Sequence, residues 1–102
     1  MSLIVELCVF PMDKGASVGA YVARAVGVIR ESGLPYKLTP MGTCIEGEWA
    51  EVMGVVRRCF EVLAADSDRV FLTINADWRR GRVNGLSSKT ATVERVLAGG
   101  QS

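Results

Sequence analysis

The stretch YKLTPMGTCIEGEW, Tyr36 to Trp49, decides how this chain folds. Tyr36 to Thr39 and Thr43 to Glu46 are two short runs of β-forming residues. Pro40-Met41-Gly42 between them is turn chemistry: proline presets φ and glycine tolerates what other residues avoid. The stretch therefore predicts a tight antiparallel hairpin, followed by a helix starting near Gly47 or Glu48.

Working outward, the segment before the hairpin reads as strand then helix. Leu3 to Phe10 is rich in Val, Leu and Ile and stops at Pro11, as a strand does. Asp13 to Gly15 reads as a loop, and Ser17 as the N-cap of a helix. Val18, Tyr21, Val22, Ala25, Val26 and Ile29 then recur at helical spacing. Gly33 stands where a helix-ending glycine belongs, with Pro35 beyond it.

After the hairpin, Trp49, Val52, Met53, Val56, Phe60 and Leu63 form a second helical stripe. Trp49, at its head, is expected in the core. Asp66-Ser67-Asp68 breaks that helix. Arg69 to Asp77 alternates cleanly and predicts a strand, and Trp78 to Gly85 reads as a basic loop holding Arg79, Arg80 and Arg82. A last helix is expected from near Ser87 to Leu97, ahead of a frayed Gly99-to-Ser102 tail. The order β-α-β-β-α-β with an added C-terminal helix is the ferredoxin-like pattern of the α+β class. With 102 residues, residues 1–102 are expected to form one domain.

Composition removes several function classes. The net charge of +1 gives no field of one sign for nucleic acid or acidic membranes. There is no histidine, so neither a Ser-His nor a Cys-His nucleophile pair can be built within the chain. Three cysteines, Cys8, Cys44 and Cys59, show no CxxC spacing, which argues against a disulfide framework and fits a reducing compartment. The apolar run at the N-terminus is too short to span a bilayer and lacks the features of a signal peptide. The expected location is the cytoplasm.

In such a fold the helices cover one sheet face. The all-apolar sets Leu3, Val5, Leu7, Val9 and Val70, Leu72, Ile74, Ala76 belong under them. Ile4, Glu6, Cys8, Phe10 and Phe71, Thr73, Asn75, Asp77 then lie on the open face. That surface is too apolar to be merely solvated, and a second copy of the same sheet is its simplest partner. At its end, Thr39, Thr43 and Glu46 offer hydroxyls and a carboxylate, while Asp77 and Trp78 pair a carboxylate with an aromatic ring. Such a set suits a flat, cationic ligand, and Asn75 could read a heteroaromatic edge. The plainer readings are turn capping by Thr39 and Thr43, gap-filling by Met41 and a strand-end ion pair at Asp77.

The segment GLPYKLTPMGTCIEGEW, taken with VELCVFPMDKG, DRVFLTINADWRRGR and the SSK…VE tail, resembles the YkoF-related thiamine-binding protein family over nearly the whole chain. The resemblance implies a ferredoxin-like fold with an extra C-terminal helix, dimers through the sheets that pair into tetramers, and no catalysis or cofactor. It implies binding of thiamine or its hydroxymethyl-pyrimidine half near the sheet and a subunit interface. By position it suggests Thr39, Met41, Thr43, Glu46, Asn75 and Asp77 as ligand-binding residues, with no metal. Competing readings are a ligand-free regulatory oligomer and a single-stranded RNA-binding module using Phe10 and Phe71. The second lacks the aromatic RNA-binding signature.

Overall fold

A computed structural model of the chain describes residues 2–16, 18–81 and 85–99. The element order is β1 (Ser2–Pro11), α1 (Gly19–Glu31), β2 (Tyr36–Thr39), β3 (Gly42–Gly47), α2 (Trp49–Ala64), β4 (Val70–Arg79) and α3 (Gly85–Leu97). The strands form one antiparallel sheet in the order β2-β3-β1-β4. This is the predicted α+β, ferredoxin-like arrangement with its C-terminal helix.

Alternation along β1 sorts the two faces. Leu3, Val5, Leu7 and Val9 are buried under the helices, while Ile4, Glu6, Cys8 and Phe10 are half-buried on the other side. Ile45 of β3 pairs with Val5 and joins the core. From α1 come Ala25 and Ile29; from α2 come Val52, Val55, Val56, Cys59 and Leu63. The Cys59 thiol donates to the Ala25 carbonyl at 3.4 Å and ties the two helices together.

Two glycines are required by geometry. Gly33 follows α1 at φ 78°, the left-handed conformation that ends helices. Gly42 opens β3 at φ 155°, and a Cβ there would lie 2.8 Å from the Leu7 carbonyl oxygen. No side chain fits between the hairpin and β1 at that point.

Several expectations are corrected. Trp49 is 58% exposed and Phe60 42% exposed, so the inward stripe of α2 is centred on Val52, Val55, Val56, Cys59 and Leu63. Five apolar positions within about a third of the helix circumference suffice to face the sheet, and Trp49 and Phe60 fall on its flank. Strand β4 runs on to Arg79, because β1 begins at Ser2 and supplies ladder partners for Trp78 and Arg79. Trp78 is therefore a strand residue, not the start of a loop. Helix α3 starts at Gly85 and not near Ser87. Val18 holds the N-cap position of α1 without a side-chain hydrogen bond; Ser17, expected there, lies outside the described residues, as do Arg82 and the last three residues.

Candidate functional site

The hairpin does more than turn the chain. Thr39 pairs with Gly42, leaving Pro40 and Met41 as the loop. The Thr39 hydroxyl locks it, donating to the Gly42 carbonyl at 2.8 Å and accepting the Met41 N–H at 3.3 Å. Held this way, the hairpin forms one wall of a cavity of about 200 Å³. Leu7 and Val9 of β1 form its floor, and Val18, Val22 and Val26 line the α1 side. Leu38, Thr39, Met41 and Thr43 complete it. Leu38 and Met41 are 62% and 78% exposed, which places them at the mouth.

Thr43 is the polar group inside. It pairs with Leu7, so it points to the helix side of the sheet, and it is only 4% exposed. Its hydroxyl makes no hydrogen bond among the described residues. The oxygen is not sealed off, since among the described residues no side-chain oxygen or nitrogen is fully buried without a partner; it is open to the cavity, where an incoming ligand can reach it. An apolar cavity with one unpartnered hydroxyl in its wall is suited to a small, flat molecule carrying a hydrogen-bonding edge.

The other expected site residues lie elsewhere. Glu46 is 5% exposed on the opposite sheet face. Its carboxylate accepts the Ser2 hydroxyl at 2.8 Å and the N–H groups of Gly85 and Leu86 at 2.6 and 3.3 Å. Those two amides open α3, where the helix dipole favours an anion. Asn75 and Asp77 lie on the same open face as Glu46, in register with Glu6 and Ile4. The Asn75 amide donates to the Glu6 carboxylate at 3.1 Å. Trp78 pairs with Leu3 and so points to the helix side, away from Asn75 and Asp77. Arg80 lies over its ring at 5.3 Å, a cation–π contact within the chain.

Thus Thr39, Met41 and Thr43 come together, while Glu46, Asn75 and Asp77 share a different face and Trp78 stands apart. Sequence reading missed the α1 contribution of Val18, Val22 and Val26. Their i, i+4, i+8 spacing was visible, but only as part of a core stripe.

Cys44 and Cys59 offer little nucleophilic chemistry. Burial pushes the Cys59 pKa up to about 11. Burial, and then the Glu6 carboxylate, raise that of Cys44. A protonated thiol is a poor nucleophile. Among the described residues no group of His, Cys, Asp or Glu is arranged to hold a metal, and no helix is long and apolar enough to cross a membrane.

Comparison with known proteins adds the following. A family model described as "thiamine-binding protein" matches residues 5–94. A UPF0045 protein of Mycobacterium bovis is 47% identical over 98 residues, covering 95% of this chain and 96% of that protein. A UPF0045 protein of Synechocystis is 38% identical over 98 residues, covering 95% of this chain and 81% of its own. Among solved structures, a hypothetical protein from Methanocaldococcus jannaschii superposes with a TM-score of 0.85 at 28% identity, over 91% of this chain and 96% of that one.

Proposed function

The chain belongs to the thiamine-binding protein family, and on that premise we propose that it is a non-catalytic, cytoplasmic binding protein for thiamine or its hydroxymethyl-pyrimidine moiety. The observation that carries this reading is the Thr43 hydroxyl, which opens onto an apolar cavity and makes no hydrogen bond among the described residues. A heteroaromatic ring nitrogen or a hydroxymethyl group would satisfy it. Thr39 would hold the hairpin in shape, and Met41 would close over the ring with its flexible thioether.

The cavity's volume of about 200 Å³ favours one ring over two. Pockets for drug-sized ligands begin at roughly 300 Å³. The pyrimidine is the half that enters, and the remainder of a thiamine molecule would extend past Leu38 and Met41. Asn75 and Asp77 would reach such an extension only from a neighbouring subunit, since they lie across the sheet.

Self-association is part of this reading. Phe10 and Phe71 stack at 5.4 Å on the open face, and Phe71 is 46% exposed. Ile4 and Cys8 extend the patch along β1. Monomeric proteins seldom leave such a surface to water, and a twofold pairing of open faces covers it, with pairing of dimers giving tetramers.

The test is calorimetric titration with thiamine and, separately, with hydroxymethyl-pyrimidine. Saturable binding near one per subunit is the expected result, with the pyrimidine supplying most of the affinity. No heat and no thermal shift with either ligand would reject the reading and leave a ligand-free oligomer.

A further inference from the structure

We infer that the ligand of this site carries an anionic tail held by Arg30: the site takes the phosphate monoester of a hydroxymethyl-substituted heteroaromatic ring in preference to the free alcohol. The inference rests on the pyrimidine-binding reading above and specifies the form of the ligand.

The cavity beside the hairpin has a neighbour. An open trough of about 410 Å³ runs along the flank of α1 above β2. Val22, Val26 and Leu38 line both spaces, so the trough adjoins the cavity at the mouth, where Leu38 stands exposed. The sheet register sets the path between them. Leu38 pairs with Thr43 and Thr43 with Leu7, so the three share one row on the helix side. Strand β2 is the sheet edge, and Leu38 lies one strand spacing, about 5 Å, outward from Thr43. A ring held at Thr43 therefore needs a tail of only a few bonds to enter the trough. Gly19, Ala23 and Gly27 recur at i, i+4, i+8 along it. A Cβ built on Gly19 or Gly27 would meet nothing within 4 Å. These small residues make room; they recognise nothing themselves.

The recognising group is Arg30, which lines the same trough. A helical side chain leans toward the N-terminus of its helix, so the Arg30 stem points back over Val26 and Gly27 toward the cavity mouth. Among the described residues Arg30 makes no ion pair or hydrogen bond. Its neighbours three and four positions away are Val26, Gly27, Gly33 and Leu34, and none can neutralise it. Arg24 of the same helix is already paired with Asp66, and Lys37 lies in register with Cys44, on the other sheet face. Among the described residues no acidic side chain lines the cavity or the trough. A cationic tail would meet Arg30 with no carboxylate to offset it. A phosphate monoester carries about −1.5 to −2 charges at neutral pH, and its oxygens match the guanidinium fork. The apolar walls and Thr43 hold the ring, and Arg30 holds the ester.

The experiment titrates the full-length protein with hydroxymethyl-pyrimidine and with its phosphate monoester, at low and at high salt. The ester is expected to bind about five- to tenfold tighter than the alcohol at low salt, as suits a charge-assisted pair near the surface, with the gain shrinking as salt is raised. Arg30→Gln is expected to erase the gain and leave affinity for the alcohol as it was. Arg30→Lys keeps the charge without the fork and is expected to retain part of it. As an independent variant, Gly27→Leu fills the trough and is expected to weaken the ester alone. Thermal melts serve as the folding control; Arg30 is exposed, and leucine is a better helix former than glycine at Gly27. Equal affinities for ester and alcohol in the wild type would overturn this inference and leave the pyrimidine reading standing. So would a gain that survives Arg30→Gln, or unweakened ester binding by Gly27→Leu. Binding of neither ligand would overturn both.

Discussion

The carboxylate of Glu46 accepts the backbone N–H of Gly85 at 2.6 Å, across 39 residues of chain. One buried side chain in β3 thereby fixes where the last helix begins. Glu46→Ala removes an acceptor used by Ser2, Gly85 and Leu86 together. The expected loss of stability is about 2–4 kcal/mol, since charged groups make the stronger hydrogen bonds and their partners are left buried. Hydrogen exchange should show lost protection in the α3 amides before the rest of the chain. Unchanged protection there would mean that Glu46 is not the anchor.

Thr43→Val separates binding from folding. The hydroxyl has no partner among the described residues and opens onto the cavity, so replacing it with a methyl group should leave stability unchanged or slightly raised. Affinity for the pyrimidine should fall by about five- to tenfold, the value of one ordinary hydrogen bond. A urea midpoint that drops together with affinity would indicate a structural role instead.

Trp49→Ala checks the flank of α2. A buried tryptophan truncated to alanine costs about 3–5 kcal/mol, but Trp49 is 58% exposed. The expected change is within about 0.5 kcal/mol, as for other surface positions. Chemical denaturation of the variant measures it directly.

Asp13 gives the fold an acid-sensitive tie. It accepts hydrogen bonds from the Ser67 hydroxyl and from the Asp68 N–H, joining the loop after β1 to the turn before β4. The Ser67 bond, then the Asp68 amide, hold its carboxyl below the ordinary 3.8. A pKa lower in the folded state stabilises above the unfolded value and is lost as pH falls through the folded one. Asp13→Asn should therefore lower the melting temperature at neutral pH, with the gap to wild type closing below about pH 4. A gap that persists undiminished at pH 2 would assign the tie to something other than the charged carboxylate.

The alternation of Leu3 to Phe10 and of Val70 to Asp77 was enough to place two strands and both sheet faces. Gly33 and the Pro40-Met41-Gly42 turn placed the punctuation. The failures share a physical cause, which is that contacts distant in sequence decide them. Trp78 reads as loop beside two arginines and a glycine until β1 is seen to reach back to Ser2 and pair with Trp78 and Arg79. Trp49 and Phe60 fit a helical stripe, yet a stripe fixes only a direction around the axis, and Val55 and Cys59 turn that direction toward α1. Glu46 looks like a ligand group because Gly85 is nowhere near it in sequence. The cavity needed α1 and the hairpin side by side, and no spacing within either element encodes that distance.

Gly42 has a consequence for how binding preference could drift or be engineered. A Cβ at that position would meet the Leu7 carbonyl at 2.8 Å, so the cavity cannot be retuned by adding a side chain at the base of the hairpin. Any retuning for a larger or differently substituted ring must come from the opposite wall. Val22 and Val26 sit on a helix and are replaceable one side chain at a time. A mutational library aimed at new ligands should hold the hairpin constant and diversify α1, treating the two walls as jaw and anvil.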